Sequence, residues 1–258
     1  MELIDSHCHI DVDEFAADRD RVLAECRRLG VTRLVVPAVE TATWEHLLQV
    51  CRSQPGLYPT LGLHPYYLER HLDDHLQALE QQLALNSDVV AVGEIGLDFY
   101  IAELERDRQQ QLFEAQLAIA RAANLPVILH IRKAHEQVLN TLKRIKVRGG
   151  IAHAFNASLE QAQRYIDMGF KLGFGGMLTF ERSTRLRALA KTLPLDAIVL
   201  ETDAPDMPGE PWQHQRNSPA YLPFYLETLA ALRGEDKEKV AAVTTANVKS
   251  VLSLDQLQ

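Results

Sequence analysis

Seven side chains able to bind metal or move protons fall at or near the ends of short apolar runs in this sequence. His7 and His9 close ELIDSHCH, and His64 closes LYPTLGLH. Glu94 lies near the end of VVAVGEIGL, His130 closes PVILH, His153 lies near the end of RGGIAHAF, and Asp203 closes AIVLETD. Alternate residues of a strand share a face, so His7 and His9 present two imidazoles together, with Asp5 behind them in the same row. Cys8 between them points the other way and reads as a packed small residue. Imidazole nitrogen and carboxylate oxygen suit zinc and similar ions, and a catalytic site keeps one position open for water. Glu94 has two oxygens and can bridge a metal pair, while Asp203 can bind metal and take the proton of an attacking water. Read from residue types alone, the set holds one or two divalent metals. Glu94 sits in an apolar run, where a bare charge is very costly to bury and needs a partner; metal is the natural one. A lone histidine is more often hydrogen-bonded or solvated than a ligand, so His46, His71, His75, His135 and His214 are assigned no function, with His71 and His75 read as four apart on a polar helix face.

The elements that must position these groups alternate. Between the runs already quoted, and RLVVPAV and FKLGFGG, lie stretches with helical spacing. FAADRDRVLAECRRLG carries apolar residues at Val22, Leu23, Cys26 and Leu29 and a glycine stop at Gly30,. TWEHLLQVCRSQ, LDDHLQALEQQLALN, RDRQQQLFEAQLAIARAANL, HEQVLNTLKRI, SLEQAQRYIDMG and STRLRALAKTLP read as further helices, and two more close the chain. About eight strands alternating with helices imply parallel pairing. The expected fold is therefore α/β, a (β/α)8 TIM barrel over residues 1–258 as one domain, with an open doubly wound sheet as the competing architecture. In a parallel barrel all strand C-termini emerge on one face, so the seven residues converge there. The one long irregular segment, residues 204–221, follows the last strand, where a barrel carries an active-site loop.

Hydrophobic residues at 47% and charged residues at 24% fit a soluble globular protein,. No apolar run approaches the roughly 20 residues of a membrane helix, and the polar, acidic start MELIDSHCHID does not read as a signal peptide,. Three cysteines without a C-x-x-C pair point to a reducing compartment, so the expected location is cytoplasmic, with no membrane contact and no obligatory protein partner evident,. A net charge of −8 excludes a protein that coats nucleic acid non-specifically, because that binding rests on many Lys and Arg contacts,. It leaves room for a phosphate-bearing substrate, since bound metal reverses the local sign.

The segments IDSHCHID, GLHPY, VGEIGLDF, LHIR, HAFN and LETDAP, in this order, resemble the TatD family of metal-dependent deoxyribonucleases within the amidohydrolase-type barrels. The likeness runs from about Leu3 to the closing helices, where RNSPAYLP and TTANVKSVL also fit. It implies two divalent metal ions (zinc, manganese, nickel or, less well, magnesium). His7, His9 and Asp203 would hold one ion, His130 and His153 the other, with Glu94 bridging both. Asp203 and Glu94 would then be catalytic, His64 substrate-facing or behind the ligands, and Arg132 in contact with phosphate. One departure stands out. The family's sixth-strand motif usually reads H-C-F-S/T-G, whereas here it is HAFNAS, which keeps the ligand and changes the loop beyond it.

The resemblance implies phosphodiester hydrolysis of DNA or another phosphodiester by a hydroxide held between the metals. The rival is C–N or ester hydrolysis of the deaminase, dihydroorotase or lactonase type, whose binuclear members bridge metals with a carboxylated lysine at the fourth or fifth strand. A metal-binding scaffold without catalysis is a third reading. Trp212, Tyr66 and Phe99, beyond strand ends, could stack on bases, though packing of their own loops is the expectation.

Overall fold

The computed structural model describes residues 1–256. Eight strands run β1 (Leu3–Asp5), β2 (Val31–Pro37), β3 (Leu57–Leu61), β4 (Ala91–Asp98), β5 (Val127–Arg132), β6 (Gly150–Ala152), β7 (Phe170–Phe174) and β8 (Ile198–Leu200). They pair in sequence order, every ladder parallel. Seven helices follow the strands: α1 (Arg19–Arg28), α2 (Trp44–Ser53), α3 (Asp74–Leu85), α4 (Arg106–Ala122), α5 (His135–Arg144), α6 (Leu159–Asp167) and α7 (Thr184–Thr192). After the long eighth loop come α8 (Leu222–Arg233) and α9 (Lys237–Leu252). The ring closes just beyond the first and last strands, where Ser6 donates its N–H to Leu200 O at 3.0 Å and Asp203 donates to His7 O at 2.8 Å. This is the expected TIM barrel, and the doubly wound sheet is set aside.

The period-2 pattern of the strands sorts the core into two parts. Leu3, Leu34, Val36, Val92, Val127 and Leu129 face outward and pack under the helices. Ile4, Val35, Ala91, Ile128, Ile151 and Val199 point the other way and fill the barrel, where they meet Val248 and Leu252 of α9. The last helix thus plugs the end opposite the strand C-termini, which leaves that other mouth as the open one. Local signals set the helix ends: Ser158 and Gln161 form a reciprocal capping box on α6,, and α8 stops at the left-handed Gly234,.

Several ladders are shorter than the apolar runs suggest. Strand β1 stops at Asp5, so His7 and His9 lie beyond it rather than on it; β6 ends at Ala152 and β8 at Leu200. Past those points the chain leaves the ladder to turn polar groups toward the barrel axis. Glu94, expected near a strand end, sits in the middle of β4, where the pairing with β5 slips between Val92 and Ile95. At Gly96, with φ near +150°, a Cβ would stand 1.9 Å from His130 O. Only glycine lets β4 lie this close to β5, and that contact sets Glu94 beside His130.

Candidate metal centre

All seven residues singled out by the sequence meet at the open mouth, and Glu94 is the centre of the group. Its Oε2 lies 3.1 Å from His7 Nε2 and 3.7 Å from His9 Nε2. Its Oε1 lies 3.2 Å from His64 Nε2, 3.2 Å from His130 Nδ1 and 3.5 Å from His153 Nε2. Asp203 Oδ1 stands 3.6 Å from His7 Nε2 and 3.7 Å from His9 Nε2. The two imidazole nitrogens of His7 and His9 are themselves 3.2 Å apart. These separations match the edges of a coordination polyhedron whose metal–ligand bonds are about 2.0–2.2 Å. Among the described residues, no lysine or arginine pairs with Glu94 or Asp203. The donor set therefore fits divalent metal: buried imidazoles and carboxylates with no other cation among them.

Electrostatics tell the same story. Burial alone would raise the Glu94 carboxyl, but the imidazoles of His7, His64 and His153 outweigh it and hold the group well below the usual carboxylate range. Burial pushes Asp203 up to about 6, against the pull of His153 and His9. Burial and the neighbouring His153 hold His7 low. Its ring stacks on His153 with centroids 3.8 Å apart.

Each ligand candidate is aimed by a neighbour. His9 Nδ1 lies 3.0 Å from Pro37 O, which turns Nε2 inward. His130 Nε2 meets Asp98 Oδ2 at 3.1 Å and His153 Nδ1 lies 3.3 Å from Glu201 Oε1, so a buried carboxylate stands behind His130 and behind His153. Carboxylates in this position fix the ring and raise its basicity toward metal. Asp5 accepts from His7 N and Thr202 N through Oδ1 and from Thr202 Oγ1 through Oδ2, tying the first and last strand ends together. Two buried glutamines of α4 hold loop backbones reciprocally: Gln109 grips the N–H and C=O of Asp98, and Gln116 those of Leu63. Asp203 adopts a left-handed backbone with φ near +58°, a conformation that Asp tolerates better than most residues.

His64 differs from the others. Its Nδ1 accepts the N–H of Tyr66 at 3.0 Å, so in the neutral ring the proton sits on Nε2, the atom facing Glu94. An Nε2–H is a donor and not a metal ligand, although His64, Glu94 and His130 are close enough to form a binding triad. That leaves His130, His153 and Glu94 Oε1 as the candidate second set, with His64 donating beside it.

Two buried carboxylates that the sequence does not single out, Asp98 at the end of β4 and Glu201 just beyond β8, join the site. His71 is not on a helix face: it is buried behind the site, its Nε2 2.9 Å from His64 O. His75 lies in α3 and pairs with Thr41. Arg132 reaches the mouth but not the centre, its guanidinium 3.8 Å above the Tyr100 ring and 3.9 Å from Asp98. Trp212 stacks on Tyr221 with centroids 3.7 Å apart, and Phe99 lies beneath Arg106, so both pack their loops. Tyr66 remains 58% exposed.

A family model for TatD related DNase matches residues 4–253. The chain belongs to the TatD family. It is 39% identical to the uncharacterised metal-dependent hydrolase YjjV of Escherichia coli, covering 97% of this chain and 98% of that one. The crystal structure of YjjV superposes with a TM-score of 0.94, over 97% of this chain and 98% of that one. A 3'-5' ssDNA/RNA exonuclease TatD of Pantoea vagans is 32% identical over 98% of this chain and 100% of its own. An organophosphorus hydrolase mutant, 14% identical with a TM-score of 0.68 over 97% of this chain and 92% of that one, shares the barrel alone. The chain is thus a metal-dependent hydrolase of this family. Among its described residues no helix is long and apolar enough to cross a membrane.

Proposed function

We propose that the chain hydrolyses phosphodiester bonds of nucleic acid at a two-metal centre. The observation that carries this reading is the division of Glu94: one oxygen faces His7 and His9, the other faces His130 and His153. His7, His9 and Asp203 would hold one divalent ion and His130 and His153 the other, with Glu94 between them. Bound there, such a pair supplies Lewis-acid activation of water and neutralises charge on a phosphoryl group in flight. Asp203, at the same mouth, would orient the attacking water and take its proton,. His64 Nε2–H is a fixed donor beside the same space, suited to a phosphate oxygen. Arg132, on the rim, can meet a phosphate further along the substrate. An exonuclease among the relatives supports nucleic acid as the substrate class.

The C–N hydrolase reading asks for a carboxylated lysine at the end of β4 or β5. Lys133 directly follows β5 but is exposed, and the bridging place is filled by Glu94.

The test uses metal-loaded protein on single-stranded DNA, RNA, bis(p-nitrophenyl) phosphate, amides and lactones, beside chelated protein and Glu94→Gln. Metal-dependent cleavage of the phosphodiesters that Glu94→Gln abolishes while its circular dichroism stays native is the expected result. Turnover confined to amides or lactones, or full activity in Glu94→Gln, would overturn it.

A further inference from the structure

Beside the metal centre the loops after β6, β7 and β8 enclose a cavity of about 390 Å³. Its walls include Phe155, Phe174, Met177 and Leu186, and Glu201 and Asp203 lie on the side toward the centre. The volume is near the small end of the roughly 300–1,000 Å³ of small-molecule pockets, room for one nucleotide-sized fragment. Arg182 and Arg185 line it from the start of α7, which follows Ser183. Both are exposed and among the described residues neither forms an ion pair; the Arg182 guanidinium lies 4.6 Å from the centroid of the Phe180 ring. At the opposite wall, buried Glu201 spends Oε1 on Ala154 N–H and leaves Oε2 without a partner. Glycine at 173 makes this placement possible, since a Cβ there would stand 2.1 Å from that oxygen. The HAFNAS departure also falls here: Phe155 is packed into the core while Asn156 borders the cavity.

We infer that this cavity is a nucleotide subsite, in which Arg182 and Arg185 bind a second phosphate of the substrate, one nucleoside away from the phosphate at the metal centre. The pocket has two chemical ends. Guanidiniums unmatched by a carboxylate, one just before and one within the first turn of a helix, attract an anion and match phosphate geometry. Apolar walls between them and the centre suit a sugar and base. The carboxylate end repels a phosphate, so an anionic group entering the cavity is directed to the arginines. The inference rests on the proposed phosphodiesterase reading and specifies its substrate: a strand end carrying a terminal phosphate, or an internal nucleotide flanked by phosphates on both sides, binds better than one lacking the second phosphate.

The experiment compares the dinucleotides pdTpdT and dTpdT as substrates of the metal-loaded protein, and in parallel thymidine 3',5'-bisphosphate and 3'-monophosphate as ligands by calorimetry. One charge-assisted contact at a partly exposed site predicts a preference of about tenfold for the doubly phosphorylated member of each pair. That preference should fall to about one in R182A/R185A and persist in R121A, which removes a charge near the C-terminal end of α4. Equal affinity in the wild type, or a preference that survives R182A/R185A, overturns the subsite. If neither dinucleotide is cleaved but the arginine-dependent binding preference stands, the hydrolytic reading falls and the subsite remains; cleavage without the preference gives the converse.

Discussion

Replacing Asp98 with asparagine should disable one half of the metal centre while leaving the other intact. Asp98 is buried, and its Oδ1 accepts the Tyr100 N–H at 3.0 Å, which orients Oδ2 toward His130 Nε2 at 3.1 Å. In the aspartate protein, Nε2 carries the proton and Nδ1, facing Glu94 Oε1 at 3.2 Å, is free to bind metal. Asparagine has the same shape, and the Tyr100 donor keeps the amide oxygen where Oδ1 was. The amide NH2 then faces Nε2 and donates to it, so the ring proton moves to Nδ1, the atom aimed at the centre. A protonated nitrogen cannot bind metal. Loss of a carboxylate behind a metal-bound imidazole typically lowers affinity about 10- to 100-fold, or roughly 1.4–2.7 kcal/mol. Asp98→Asn belongs at the upper end because it enforces the wrong tautomer, and Asp98→Ala at the lower end because it enforces none. Calorimetric titration of chelated protein with Zn²⁺ or Mn²⁺ reads the effect as one weakened binding step beside one of wild-type affinity. Wild-type affinity at both steps in Asp98→Asn, or a larger loss in Asp98→Ala, would refute the reasoning.

Two other perturbations separate roles that the geometry distinguishes. His64→Gln should retain two metal equivalents per chain and lose about 10- to 100-fold in turnover of a phosphodiester, the value of one hydrogen bond to a charged group; loss of a metal equivalent by elemental analysis would make His64 a ligand after all. Burial, then the charge of Arg185, holds the His135 imidazole down to about 4, so it stays neutral in the fold where the unfolded chain takes up a proton. Its contribution is present above pH 6.5, is lost as pH falls from 6.5 to about 4, and amounts to roughly 3 kcal/mol at most. Urea melts across that range should therefore show a shallower pH dependence in His135→Gln, and parallel curves would refute it.

The types and order of the candidate metal ligands were legible because each closes or punctuates an apolar run, and a barrel must bring such ends together. Their aim was not. His7 and His9 converge although neither is on β1, because the bond that the His7 N–H donates to Asp5 Oδ1 and the contact of the His9 ring with Pro37 O replace the strand periodicity assumed for them. Asp98 and Glu201 carried a usable signal, an acid four residues after Glu94 and another two before Asp203, each an even spacing from its neighbour in an apolar run read as a strand,. The role of His64 had no such signal, since it depends on the direction of one backbone N–H two residues later. His71 misled for the opposite reason: its spacing from His75 suggests a helix face, but the chain breaks between them and turns His71 inward.

A net charge of −8 looks ill suited to a polyanionic substrate, yet total charge governs long-range attraction and not the local fit. Within the centre, Glu94, Asp98, Glu201 and Asp203 face five imidazoles and, among the described residues, no arginine or lysine closer than Arg132 at 3.9 Å from Asp98. Such a group can accept phosphate only after divalent cations have changed its sign. The guanidiniums of Arg132, Arg182 and Arg185 stand at the rim instead, where under the proposed function they would meet phosphates that flank the reacting one. Cations fixed inside the ligand cluster would compete with metal for Glu94 and Asp203, whereas cations outside it hold the substrate without lowering metal affinity. Under the proposed function, the separation of the two kinds of positive charge, exchangeable at the centre and covalently fixed at the edge, would let an acidic protein bind first its metal and then a strand.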